Sequence, residues 1–105
     1  MSSKAPKRRD VQTAIESIES ELRRLGVRRL ALFGSVVREE AGPDSDIDLL
    51  VEFEADNKTY DNFLSICELL EECLGRHVEV VTSEALSPFI GPHILAEAED
   101  VLRAA

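Results

Sequence analysis

Arg29-Leu30-Ala31-Leu32-Phe33-Gly34-Ser35, ten further residues, then Asp46-Ile47-Asp48-Leu49-Leu50-Val51-Glu52-Phe53 is the stretch that decides the fold. Each half holds an apolar run of strand length, and Ala41-Gly42-Pro43-Asp44-Ser45 between them carries strong turn chemistry. Arg29–Phe33 reads as a buried strand and Ile47–Phe53 as a second one. Val36–Glu40 is expected to form a brief helix, with Ser35 capping its first turn. The first strand therefore exits on a Gly-Ser pair, and the second opens on two carboxylates.

That arrangement points to metal-bound phosphate. Asp46 and Asp48 lie two apart at the start of a strand, so their side chains share a face, with Cα atoms ~7 Å apart. Ile47, Leu49 and Val51 then face the core. Converging carboxylates of this kind can bracket divalent ions spaced ~4 Å from each other, and their hard oxygens suit Mg²⁺ or Mn²⁺. Gly34 allows close approach of backbone to a phosphate, Ser35 offers a hydroxyl and an N–H, and Arg38 lies one helical turn further on. Alone, Gly34-Ser35 or Asp44-Ser45-Asp46 would be ordinary turn chemistry. Two same-face acids leading an apolar strand are harder to assign to structure, because uncompensated burial of charge is expensive. A Walker-type phosphate loop is excluded, since no Gly-Lys-Ser/Thr follows the turn.

Outward from this stretch, Val11, Ala14, Ile15, Ile18, Leu22 and Leu25 recur at helical spacing from Asp10, with Gly26 as the stop. A second amphipathic helix is expected from about Thr59 to Leu74, its inner face formed by Phe63, Cys67, Leu70 and Leu74, and Tyr60 packing at its start. Arg76–Thr82 reads as a third strand, on which alternation sets Glu79 opposite Val78 and Val80. A turn-rich segment follows. Pro92 then opens a last helix carrying Ile94, Leu95, Ala98, Val101 and Leu102. His77 and His93 read as surface or capping residues. Helices and strands in this alternation imply an α/β fold with a small mixed sheet of three to four strands flanked by helices.

The 105 residues suffice for one domain, which at this size buries about two-thirds of its unfolded surface. Residues 1–9 read as a flexible basic tail and 10–105 as the domain. Twenty-one acidic against 12 basic side chains, a net charge of −9, oppose direct nucleic-acid binding and favour a basic protein partner. No apolar run approaches the roughly 20 residues that span a bilayer, and no apolar segment follows the basic start, so neither a membrane anchor nor a secretory signal is expected. Cys67 and Cys73, about 9 Å apart along one helix, cannot pair, which suits the reducing cytoplasm.

Gly34-Ser35, ten residues, and Asp46-Ile47-Asp48, with Ala31-Leu32-Phe33 and Leu49-Leu50-Val51 around them, resemble the signature of the polymerase-β-type nucleotidyltransferase superfamily. The short chain resembles its minimal nucleotidyltransferase (MNT) branch. The likeness runs from the first helix through the third strand. It implies that Gly34 and Ser35, with Arg38 nearby, bind the phosphates of ATP, and that Asp46 and Asp48 bind Mg²⁺. It further implies that a third carboxylate completes the metal site and serves as general base. Glu79 is the candidate, one methylene longer than the aspartate more usual there. Minimal members are typically paired with a HEPN-type RNase toxin, so the resemblance implies an antitoxin that transfers AMP to its partner and forms a hetero-oligomer with it. Phe89-Ile90 and Ile94-Leu95 are candidate contacts. The alternatives are neutralisation of the partner by binding alone, and nucleotidyl transfer to a small molecule.

Overall fold

Alternation along the second strand sets the layers. In β2 (Ile47–Phe53), Ile47, Leu49 and Val51 are buried in one cluster, while Leu50 belongs to another on the opposite face. β1 (Val27–Phe33) divides in the same way, with Leu30 and Leu32 on the first face and Ala31 and Phe33 on the second. The computed structural model describes residues 5–56 and 58–103. Its mixed four-stranded sheet runs in the order β3-β2-β1-β4, where β3 is Val78–Thr82 and β4 is Glu99–Leu102. β1 is antiparallel to both β2 and β4, and β3 lies parallel to β2.

Helices α1 (Arg8–Glu16), α2 (Glu19–Arg24) and α3 (Tyr60–Leu74) bring Val11, Ile15, Leu22, Ile66 and Leu70 onto the first face of the sheet. The second face is covered more thinly: Leu86, Ile94 and Ala98, from around α4 (Gly91–Glu97), pack on Ala31, Phe33 and Leu50. Thr59 caps α3 by accepting the Asn62 N–H at 3.1 Å, and Gly75 ends it in the left-handed region with φ +68°. Arg29 ties β1 to both neighbours through Glu52 (2.7 Å) and Asp100 (2.6 Å). No helix among the described residues is long and apolar enough to cross a membrane. Leu49 is fully buried at the centre of this packing. Leu49→Ala is expected to lower the stability by about 2–5 kcal/mol in urea denaturation, without altering the chemistry at the strand ends.

Several elements depart from the sequence reading. The first helix is two: Ser17 Oγ donates to the Ala14 carbonyl at 2.5 Å, and the chain bends at Ile18 before α2 begins. α1 opens at Arg8, so Arg8 and Arg9 of the basic head are helical, whereas Met1–Lys4 lie outside the described residues. In α3 the deepest residue beside Leu70 is Ile66, with Cys67 only partly buried, and Tyr60 is 74% exposed rather than packed. Both cysteines are unpaired, and the Cys73 thiol donates to the Ala14 carbonyl. The last helix stops at Glu97. Ala98 is extended, and Val101 and Leu102 enter β4, where pairing with β1 satisfies backbone groups that a helix there would have left open on the sheet.

The expected helix after Ser35 is a single 3-10 turn over Gly34–Val36, so Ser35 lies inside the turn instead of capping a helix. Glu40 N–H bonds to the Ser35 carbonyl at 2.8 Å and Glu39 N–H to that of Val36 at 3.2 Å, with Glu39 at φ +60°. This is a Schellman closure built on a non-glycine residue. Glu39→Gly should relieve the left-handed strain and raise stability by about 1 kcal/mol, read as a higher melting temperature.

Candidate nucleotide and metal site

The acids are carried on a braced turn. Ser45 Oγ accepts the Gly42 N–H at 2.8 Å, and Arg76 donates to the carbonyls of Pro43 (3.1 Å) and Ser45 (2.9 Å). Ile47 N–H bonds to the His77 carbonyl at 3.2 Å, which starts the β2–β3 ladder immediately after Asp46. Asp46 is therefore held just ahead of the strand, exposed, and Asp48 lies on its second residue, half-buried. Within the ladder Asp48 stands opposite Glu79 on one side and Phe33 on the other.

Gly34 and Asp48 are in closer contact than any other residue type would permit. A Cβ on Gly34 would lie 2.9 Å from Asp48 Cγ and 3.1 Å from its Cβ, and closer still to Oδ2; φ at Gly34 is +80°. The Asp48 carboxyl is pushed above the usual carboxylate range, first by burial and then by the neighbouring Glu79 and Asp46. Asp46 and Glu79 converge with a residue the sequence reading had set aside: one ligand atom each from Asp46, His77 and Glu79 lie within 4.8 Å of one another. The His77 ring stands between two acids, with Nδ1 2.8 Å from Glu71 Oε2 and Nε2 3.7 Å from Glu79 Oε2. A cluster of hard carboxylate oxygens converging within a few ångströms is a donor set suited to a divalent cation, so these residues fit Mg²⁺ or Mn²⁺.

Beyond Gly34 the site opens into a cleft of ≈ 500 Å³ lined by Phe33, Gly34, Arg38, Asp48, Ile90, His93, Ile94 and Glu97. Here Gly34 N–H donates to Glu97 Oε2 at 2.9 Å, and Arg38 Nη1 donates to Glu97 Oε1 at 2.6 Å. Arg38 also bonds Glu40 at 2.9 Å. The Glu97 carboxyl is held below the usual range, chiefly by the Gly34 N–H and further by Arg38. Gly34, Arg38 and Asp48 thus meet at the cleft, with Ser35 next in the turn, while Asp46 and Glu79 meet at the adjoining edge. His77 carried a signal, since it lies two residues before Glu79. Glu97 carried none, because only the fold of the second face brings it to Gly34.

The fold is that of a nucleotidyltransferase. The chain belongs to the nucleotidyltransferase domain family, whose profile matches residues 15–101. It is 38% identical over 89 residues to the protein adenylyltransferase MntA of Thermococcus cleftensis, covering 84% of this chain and 89% of that protein. A solved structure assigned to the minimal nucleotidyltransferases superposes with a TM-score of 0.77 at 35% identity, covering 90% of this chain and 95% of that one. The fold also matches a chain from the complex of the AMPylated Shewanella oneidensis HEPN toxin with its MNT antitoxin, with a TM-score of 0.64 at 20% identity and coverage of 90% and 73%.

Proposed function

We propose that this chain transfers AMP from ATP to a hydroxyl on a partner protein, and that it does so as the antitoxin of a HEPN-type toxin. The observation that carries the reading is the contact of Gly34 with Asp48, with Glu79 beside Asp48 in the ladder. It supports the reading because the backbone proposed to bind phosphate and the acids proposed to bind metal lie at one strand end. Kinship with MntA and the MNT–HEPN fold match support the protein acceptor.

Asp46, Asp48 and Glu79 would hold Mg²⁺, which supplies charge neutralisation at the phosphates and lowers the proton affinity of an attacking hydroxyl. Gly34 N–H and the Arg38 guanidinium bind phosphate oxygens, and Ser35 lies next to them in the turn. Glu79 accepts the acceptor's proton as its oxygen bonds to the α-phosphorus. The bond from that phosphorus to the bridging oxygen breaks, and pyrophosphate leaves.

The acceptor arrives on another protein. Ile90 lines the cleft and, with Phe89 and Leu95, is exposed, so the three offer an apolar contact for it, whereas Ile94 is partly buried against the second core cluster. Two free thiols agree with a reducing, cytoplasmic setting. The deciding experiment mixes the protein with labelled ATP, Mg²⁺ and a HEPN-type partner, beside the Asp46→Ala, Asp48→Ala double variant. Label is expected on the partner with the native chain alone. Absence of label with intact neutralisation by the double variant would mean that the chain acts by binding only.

A further inference from the structure

We infer that Glu97 is an internal occupant of the phosphate site, a carboxylate that a nucleotide must displace before it can bind. The inference rests on the reading of Gly34 and Arg38 as phosphate ligands. Both Glu97 oxygens are engaged, one by the backbone N–H of Gly34 at 2.9 Å and the other by Arg38 at 2.6 Å. One anion bridging a glycine N–H and a guanidinium presents the donors as a phosphate would meet them. The arrangement also answers a need of the free protein. Gly34 is buried, and its N–H would lose its partner in an empty site; an unmade bond there is costly.

The position of Glu97 makes release feasible. It is the last residue of the seven-residue α4, its side chain is 22% exposed, and the chain continues in extended form at Ala98. Rotation of one side chain therefore frees both donors with α4 still packed through Ile94. Arg38 keeps its bond to Glu40 meanwhile. Glu97 also adds a negative charge next to Asp48 and so opposes an incoming polyphosphate, an opposition that a cation on the neighbouring acids offsets. The rival account is a structural brace that fastens α4 to the Gly34 turn and keeps Arg38 aimed. The two accounts predict opposite signs when the carboxylate is removed.

The test is calorimetric titration of the native chain, Glu97→Gln and Glu97→Asp with Mg·ATP and, separately, with inorganic tripolyphosphate plus Mg²⁺. Melting curves establish that each variant is folded. Loss of a charge-assisted bond should tighten binding of both ligands about 10-fold in Glu97→Gln. Glu97→Asp, shortened by one methylene, should shift the same way and serves if the glutamine variant does not fold. Unchanged or weaker affinity for tripolyphosphate, or no binding by any of the chains, would overturn the inference. Because tripolyphosphate carries no transferable AMP, a chain that labels no partner can still pass or fail this test, and equal affinities in all three chains would leave the transferase reading standing.

Discussion

Gly34→Ala is expected to reduce AMP transfer at least ~100-fold and also to cost roughly 1–3 kcal/mol of stability. Two effects add. The methyl group would enter the space of the Asp48 carboxylate, which must swing away, and the residue would be forced to hold φ +80° with a Cβ. Displacing Asp48 disturbs its alignment with Glu79, and an error of an ångström in such a site is enough for the loss in rate. Gly42→Ala is the control. It lies in the same connection, but a Cβ there meets only Ser45 Oγ, at 3.9 Å. It should stay within about 0.5 kcal/mol of the native chain and keep its activity. Initial rates of labelled AMP transfer and urea denaturation of the three chains check the pair. Native-like transfer by Gly34→Ala would show that the close packing on Asp48 has no part in the chemistry.

Asp48→Asn should separate function from stability. Transfer is expected to fall about 10³-fold if Asp48 holds the cation at the reacting phosphates as proposed above. The metal-free variant should nevertheless be more stable than the native chain, by a few tenths of a kcal/mol once solvent screening is allowed for, read as a higher melting temperature. The cause is the crowding of Asp48 by burial, Glu79 and Asp46, which raises its proton affinity in the folded state. The sign follows. A carboxyl bound more tightly to its proton when folded destabilises the fold above that folded pKa, and the cost is relieved as pH falls through it. The advantage of the variant should therefore be largest near neutral pH and shrink on acidification. Mg²⁺ should stabilise the native chain and have less effect on the variant. Calorimetric melts at two pH values, with EDTA and with Mg²⁺, read all three effects.

Much of this was legible in the sequence where local patterns and tertiary packing agree. Alternation in Ile47–Phe53 identified the buried face and set Asp48 on the other. The same period in Val78–Thr82 set Glu79 away from Val78 and Val80, while the family resemblance, not the period, named it as the partner of Asp48. Asp46 was legible as a neighbour of Asp48, though the turn braced by Arg76 holds it before the strand. Where one pattern fits two structures, the outcome depends on distant partners. Ile94, Leu95, Ala98, Val101 and Leu102 suit a helix, yet the open edge of β1 takes the last two into β4. Ser17 broke the first helix through a single side-chain bond that periodicity cannot register. Glu97 was illegible for a stronger reason: its partners are 63 and 59 residues away, and nothing local distinguishes it from other surface acids.

The direction of the strands has a consequence of its own. Because β2 and β3 are parallel and β1 runs against them, the end of β1 and the beginnings of β2 and β3 share one rim of the sheet. Gly34, Asp46, Asp48 and Glu79 are all rim residues, whereas Leu30, Leu49 and Val51 fill the strand interiors. Scaffold and candidate site are therefore separable parts of the same strands. The interior can be repacked for robustness without rewriting the chemistry, and the rim can drift toward new acceptors while the architecture beneath it holds.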